Sequence, residues 1–111
     1  MLYYNQVLNY TTLDKTRTIQ FGLTNSAPGA EGWRAYILSP IYYMGRADDC
    51  HSTHRYYDDL HDMYYVCWDP EPDTFDEMKS IVAMWGELTH DYIRTGESID
   101  SQFARRCRRR W

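Results

Sequence analysis

A long apolar stripe in the second half of the chain constrains the fold more than any other feature. Apolar residues recur at steps of three and four, the periodicity of one helix face, and they are Phe75, Met78, Val82, Trp85, Leu88, Tyr92 and Ile93. Thr74 and Glu77 have the spacing of a capping box, and Gly96 suits a C-cap. These features predict a helix over residues 74–95. Gly86 within it allows a neighbouring strand or helix to approach closely.

The residues before this helix favour short strands. Residues 3–10 and 17–23 roughly alternate apolar and polar side chains and are rich in aromatic and β-branched residues. The segment "WRAYILSPIYYMG" is mostly apolar, but Pro40 cannot donate to a ladder. It therefore predicts either a strand bent at an edge position or two short strands in succession. Strands followed by helices, without alternation, indicate an α+β fold with an antiparallel sheet.

We predict a single domain over residues 1–111. Residues 1–68 supply an antiparallel sheet of four to five strands, the helix at 74–95 packs on it, and a short basic helix or tail follows at 98–111. The chain has no signal-peptide pattern and no apolar run of membrane-spanning length. Its odd number of cysteines suits a reducing compartment. We therefore expect a cytoplasmic protein that does not engage a membrane.

The segment "CHSTHRYYDDLHDMYYVC", residues 50–67, concentrates cysteine, histidine and aspartate. Its halves "STHRYY" and "DMYYVCW" are β-prone and flank the polar "DDLH", which predicts a hairpin. With "DDLH" as the loop, Tyr57 lies opposite Asp62 and all other pairs follow from that register.

In this register Cys50, His54 and Cys67 share one face of the hairpin. Thiolate and imidazole are the usual ligands of zinc, so these three residues are a candidate structural zinc site. The spacing matches no standard zinc pattern, and the alternative is that no cofactor is bound. The candidates for a fourth ligand are His51, His61, an aspartate and Cys107.

Nucleophilic catalysis is a further alternative for the same segment. Either Cys50 or Cys67 paired with a histidine and oriented by an aspartate would suit it, but neither cysteine lies in a recognisable nucleophile motif. We therefore predict a protein that is not an enzyme and assign no catalytic residue.

The charge of the chain is divided along its length. From Arg46 to Glu77 there are ten acidic residues against two basic ones. Carboxylates spread over a hairpin and a helix start can imitate the phosphates of DNA and occupy the basic groove of a nucleic-acid-binding enzyme. The alternative is that they cover a solvated face. The candidate partner-binding residues are Asp58, Asp59, Asp62, Tyr56, Tyr57 and Tyr64.

These features predict a small non-catalytic protein that binds and inhibits a macromolecular partner through an acidic, tyrosine-rich hairpin. The expected partner is a protein, in particular a nucleic-acid-binding enzyme, and a homodimer is left open. Size, charge and the lack of catalytic motifs are shared with anti-CRISPR and other anti-defence proteins of phages and mobile elements. This is an analogy, since no residue motif identifies such a family.

The C-terminus suggests the opposite partner. Five arginines and a terminal tryptophan could hold phosphates and stack on a base, and they are Arg105, Arg106, Arg108, Arg109, Arg110 and Trp111. The alternative function is therefore a zinc-stabilised accessory protein that binds nucleic acid directly. The same arginines could instead pair with the acidic part of their own chain.

Overall fold

The structure, a computed structural model, describes residues 2–108, with side chains as far as Arg106. This part of the chain forms a five-stranded antiparallel sheet and three helices, which confirms the predicted α+β class. The elements are β1 (Gln6–Thr11), β2 (Thr18–Thr24), β3 (Arg34–Ile37), α1 (Cys50–Thr53), β4 (Arg55–Asp58), β5 (Met63–Val66), α2 (Phe75–Thr95) and α3 (Ile99–Arg108). The sheet order is β1-β2-β3-β5-β4, so β1 and β4 form its edges.

Helix α2 is the helix that the apolar stripe predicts. Thr74 is its N-cap, and the Thr74 hydroxyl oxygen accepts the backbone N–H of Glu77 at 3.1 Å. Gly96 ends the helix in the left-handed conformation, with φ 83°, and donates its N–H to the Tyr92 carbonyl. Both caps were therefore predicted correctly. No helix within residues 2–108 has the length and apolar character needed to span a bilayer.

The core lies between α2 and one face of the sheet. Its buried apolar residues are Ile19, Phe21, Leu23, Ala35, Ile37 and Val66 from the strands and Met78, Ile81, Val82 and Trp85 from α2. The ring of Trp85 meets the ring of Phe21 edge to face, with centroids 5.8 Å apart. We call the opposite side of the sheet the outer face.

Gly86 brings strand β1 close to α2, as the sequence allowed. A Cβ atom at Gly86 would lie 2.8 Å from the ring of Tyr10. The Tyr10 hydroxyl donates a hydrogen bond to Glu87, the next residue of the helix. Only glycine therefore fits under this aromatic ring without displacing it.

The region around Pro40 differs from the prediction. It contributes one strand, β3, which lies between β2 and β5 rather than at an edge. Leu38 still donates to the Gln20 carbonyl, and the Ser39 hydroxyl accepts the Gln20 N–H at 2.8 Å. A side chain thus replaces the next backbone pair, and Pro40 lies beyond the strand, where it does not interrupt the ladder.

The start of the predicted hairpin is also different. Residues 50–53 form the single helical turn α1 instead of extended strand. The Asp49 carboxylate caps this turn by accepting the Ser52 N–H, and His54 ends it in the left-handed region with φ 51°. Trp85 fixes the backbone at the end of α1, because its indole N–H donates to the carbonyls of Thr53 (3.2 Å) and His54 (3.0 Å).

The sheet has one sparse junction. Strands β4 and β5 are aligned over four residue pairs, whereas β3 and β5 share a single bridged pair, Tyr36 with Tyr65. We call this junction the β3–β5 seam. The hairpin β4–β5 is therefore joined to the remaining three strands by the shortest ladder in the sheet.

Ile99, Phe103 and Cys107 recur at steps of four along α3, the spacing of one helix face. Ile99 is buried, but Phe103 is 41% exposed and the Cys107 side chain lies outside the described part. Gln102 is fully buried instead, and its amide nitrogen donates to the Leu88 carbonyl at 3.1 Å. A hydrogen bond to the backbone of α2 thus decides which face of α3 is buried.

Candidate interaction site on the outer hairpin

The hairpin β4–β5 forms, but its register is not the predicted one. Tyr57 lies opposite Tyr64 rather than opposite Asp62, and the loop is residues 59–62 instead of 58–61. The Asp58 carboxylate accepts the N–H of His61 across the turn, and Asp62 closes it in the left-handed region with φ 53°.

Cross-strand aromatic pairs favour this register. The rings of Tyr57 and Tyr64 have centroids 5.0 Å apart, and those of Tyr56 and Tyr65 are 5.7 Å apart. The predicted register would have placed Tyr57 against a carboxylate instead of a ring.

Tyrosines of three strands line up on the outer face. Tyr36, Tyr65 and Tyr56 follow one another across β3, β5 and β4, and side chains directly opposite each other share a face. Tyr36 is completely buried and Tyr65 partly so, whereas Tyr56 on the edge strand is 46% exposed. The row therefore runs from the interior to solvent at β4.

A chain of polar contacts fixes this row. The Tyr36 hydroxyl donates to Asp58 Oδ2 at 2.7 Å, and the same oxygen lies 2.8 Å from Nδ1 of His61. Arg34 lies with its guanidinium carbon 4.0 Å from the Tyr65 ring centroid and pairs with the carboxylate of Glu71 at 2.9 Å.

These contacts shift the pKa values of the groups that they join. Burial alone raises the pKa of Asp58, but hydrogen bonds from Tyr36 and His61 outweigh it and bring the value to about 2. Burial, together with the bond to Asp58, raises the pKa of Tyr36 to about 12. Asp58 is therefore ionised at neutral pH, and its carboxylate is bonded to partners within the chain.

The other predicted partner-binding residues lie at the surface of the hairpin to different degrees. Asp59 and Asp62 are exposed in the loop, and the Asp62 carboxylate accepts the hydroxyl of Tyr57. Tyr57 is 40% exposed, whereas Tyr64 is only partly exposed and faces the α2 side. Asp58 and Tyr64 thus support the surface that Asp59, Asp62, Tyr56 and Tyr57 present.

The three candidate zinc ligands come together without forming a recognisable metal site. Cys50, His54 and Cys67 line one cavity of about 280 Å³ with His51 and Tyr56. Within the described residues, however, no three His, Cys, Asp or Glu side chains form a group that could hold a metal ion. The zinc site stays a prediction, which elemental analysis of protein purified without added metal would test.

His54 has a partner that the sequence did not indicate. Its Nε2 lies 2.9 Å from Asp100 Oδ1, and His51 approaches the same carboxylate at 3.9 Å. His54, Asp100 and Cys67 are among the residues that line an apolar cavity of about 280 Å³ between β5, α2 and α3. The hydrogen bond that joins Cys67 to His54 is between their backbones, from the Cys67 N–H to the His54 carbonyl at 3.0 Å.

The arginines of the alternative function are partly described. Arg105 donates to Glu97 at 2.9 Å, and Arg106 lies 3.7 Å from Asp91. The side chain of Arg108 and residues 109–111 lie outside the described part. The two described guanidinium groups are therefore paired within the chain.

Several residues of the outer face were missed at the sequence level. The "RAY" of β3 places Arg34 two positions before Tyr36, a spacing that puts both on one face of a strand. This spacing is visible in the sequence, but it does not show which face of the sheet the two residues share. Glu71, which pairs with Arg34, and Asp100, which lies beside His54 away from the outer face, carry no such signal, because both approach from segments outside the sheet.

No family model, curated protein or solved structure matches this chain.

Proposed function

We propose that this protein binds a macromolecular partner through the outer edge of its β4–β5 hairpin and inhibits that partner without catalysis. The observation that carries the proposal is the composition of this edge. Tyr56 and Tyr57 are exposed on the edge strand, and the loop beside them presents Leu60, 77% exposed, between Asp59 and Asp62. Tyrosine is enriched among the residues that dominate protein-binding surfaces, and charged side chains belong to the polar rim of such surfaces.

The edge position adds a second reason. Strand β4 has a neighbour on only one side, so one row of its backbone N–H and C=O groups has no ladder partner within the sheet. A partner strand can pair with such a row. The surface thus combines backbone hydrogen bonding with aromatic contacts.

The carboxylates point to a basic partner. Asp59 and Asp62 are exposed at the tip, and Asp69 is exposed in the segment that follows β5. Opposite charge accelerates association and disfavours acidic competitors. We propose that the partner is a nucleic-acid-binding enzyme whose basic groove the hairpin occupies, as an anti-defence inhibitor of a phage or mobile element would do.

The test begins with the identification of a partner by capture from the source cell, followed by a competition assay. The chain should displace duplex DNA or RNA from that partner, and Asp59→Lys/Asp62→Lys should weaken binding at least about tenfold through charge repulsion. Asp58 is left unchanged, because its replacement would disturb Tyr36. The matched control, Glu31→Lys/Asp73→Lys, makes the same charge change at exposed positions outside the hairpin.

The outcomes separate the parts of the proposal. Equal affinity of the hairpin variant and the wild type would contradict binding by this edge. A partner that binds no nucleic acid would contradict the mimicry while leaving the hairpin interface intact. Tyr56→Ser then tests the aromatic contact independently of charge.

A further inference from the structure

Two arginines stack on neighbouring tyrosines of β5, on opposite sides of the sheet. Arg34 lies over Tyr65 on the outer face, with its guanidinium carbon 4.0 Å from the ring centroid. Arg55 lies over Tyr64 on the α2 side, at 3.7 Å. The stacking is alike in both cases, but the electrostatic surroundings differ.

Arg34 has a counter-ion, whereas Arg55 has none among the described residues. Glu71 pairs with Arg34 at 2.9 Å, but no described carboxylate lies within ion-pair distance of Arg55. Arg55 is nevertheless more than nine-tenths buried, at 8% exposure. A buried charge without a partner is strongly unfavourable.

The hydrogen-bonding capacity of Arg55 is also largely unused. Its Nε is buried without a partner, and the described hydrogen bond of this guanidinium is from Nη2 to the Asp48 carbonyl at 3.4 Å. A guanidinium has five N–H donors. The hydroxyl of Tyr43, whose ring flanks the same guanidinium at 5.0 Å, is likewise buried without a partner.

Arg55 lines an open groove of about 470 Å³. One wall is residues 37–41 and the other is residues 62–64, so the groove follows the β3–β5 seam where the two strands are no longer paired. Ile37, Ile41 and Tyr64 give the walls an apolar part, and Ser39 contributes a hydroxyl. A groove that combines apolar side chains with one buried cation lacking a counter-ion is complementary to an anion on an apolar body.

We propose that this groove binds a small organic monocarboxylate, whose carboxylate pairs with Arg55 and whose apolar body lies between the two walls. A planar guanidinium matches a carboxylate in bidentate geometry. Phosphate is disfavoured, because a dianion would meet a single arginine in a groove that Asp62 also lines. The Asp62 carboxylate is itself held by the Tyr57 hydroxyl.

The test uses 3-phenylpropionate as the probe and follows the Nε–H resonances of arginine by ¹⁵N NMR of the full chain. The Arg55 resonance should shift with saturation, and the Arg34 resonance, already paired with Glu71, should not move. Uncharged 3-phenylpropanamide should bind about 10–100-fold more weakly, since it lacks the charge-assisted bond. Acetate tests the apolar body and should also bind more weakly.

Variants give a second measurement. Arg55→Met should retain the fold and lose the rise in Tm that 3-phenylpropionate produces, because an apolar residue can replace an unpaired buried charge. Arg55→Lys keeps the charge but loses the planar guanidinium, so it should bind the probe more weakly. This variant also lacks the Arg55 Nε–H resonance, so it assigns that resonance if Arg55→Met does not fold. Any one of four results would overturn the proposal. Two concern other ligands: binding of the amide as tight as that of 3-phenylpropionate, or tighter binding of inorganic phosphate. The other two are an Arg55 resonance that does not shift at 50 mM probe and undiminished binding by Arg55→Met.

Discussion

Tyr36 donates its hydroxyl hydrogen to Asp58 across the intervening strand β5, with 2.7 Å between the two oxygens. This bond ties the edge strand β4 to the buried strand β3, which it does not contact through the backbone ladder. The Asp58 carboxylate also accepts the N–H of His61 and so shapes the hairpin loop. One carboxylate thus holds both the position of the hairpin and the geometry of its tip.

We expect Asp58→Asn to lower the free energy of unfolding by about 1–2 kcal/mol at pH 7. The pKa of Asp58 is about 2, below its unfolded value. Its contribution to stability is therefore fully present above about pH 4 and is lost as the pH falls through about 2. Urea unfolding of the wild type and the variant should be measured from pH 7 to pH 2. The difference between their free energies of unfolding should shrink as the pH falls from about 4 to about 2.

Asp59→Asn is the matched control for this titration, because Asp59 is exposed in the same loop. It should change stability by less than about 0.5 kcal/mol at any pH. A difference between wild type and Asp58→Asn that stays constant down to pH 2 would contradict the role given to the carboxylate.

Gly86→Ala should destabilise the protein by about 1–3 kcal/mol, although alanine favours a helix interior. The added Cβ would lie 2.8 Å from the ring of Tyr10, which is held by Glu87 and cannot retreat freely. Chemical denaturation followed by circular dichroism measures the change. In a Tyr10→Ala background the same substitution should become neutral or stabilising, and an equal cost in both backgrounds would exclude the ring as its cause.

Trp85→Phe should cost about 1–3 kcal/mol, because it leaves the carbonyls of Thr53 and His54 without the indole N–H. The loss should be accompanied by faster hydrogen exchange in α1 and at the start of β4. Trp33→Phe makes the same change in ring size at a half-buried position packed on Phe75. If both variants lost equal stability, the hydrogen bonds would not be the source.

Thr74→Ala should reduce stability by about 1 kcal/mol, since the hydroxyl that accepts the Glu77 N–H is lost. Thr74→Ser keeps that oxygen and should stay within about 0.5 kcal/mol of the wild type. Thermal and urea unfolding of the three proteins would decide. A serine variant as unstable as the alanine variant would indicate that the methyl group, not the cap, matters.

The features predicted correctly are those that neighbouring residues determine. The stripe of α2 and its caps at Thr74 and Gly96 depend on spacings within one segment, so the sequence displays them directly. The α+β class follows for the same reason, because the order of strands and helices is visible along the chain.

The predicted hairpin register was wrong because contacts from outside the hairpin act together with its own tyrosine pairs to set the register. Tyr36 holds Asp58 from another strand, and Trp85 holds the exit of α1 from α2. Neither contact leaves a local pattern in the sequence. The candidate site shares this limit: the sequence offered Tyr56, Tyr57 and Asp58 together as partner-binding residues and did not indicate that Asp58 is bonded to Tyr36 and His61.

The β3–β5 seam has a consequence for how the sheet opens. Separating the hairpin breaks one bridged pair, whereas separating β1 from β2 breaks six. Amide hydrogens of β4 and β5 should therefore exchange with solvent through partial opening, well before the amides of β2, which need global unfolding. We therefore expect the strands that carry the proposed binding edge to be less protected than β2, and a bound partner should slow hydrogen exchange there.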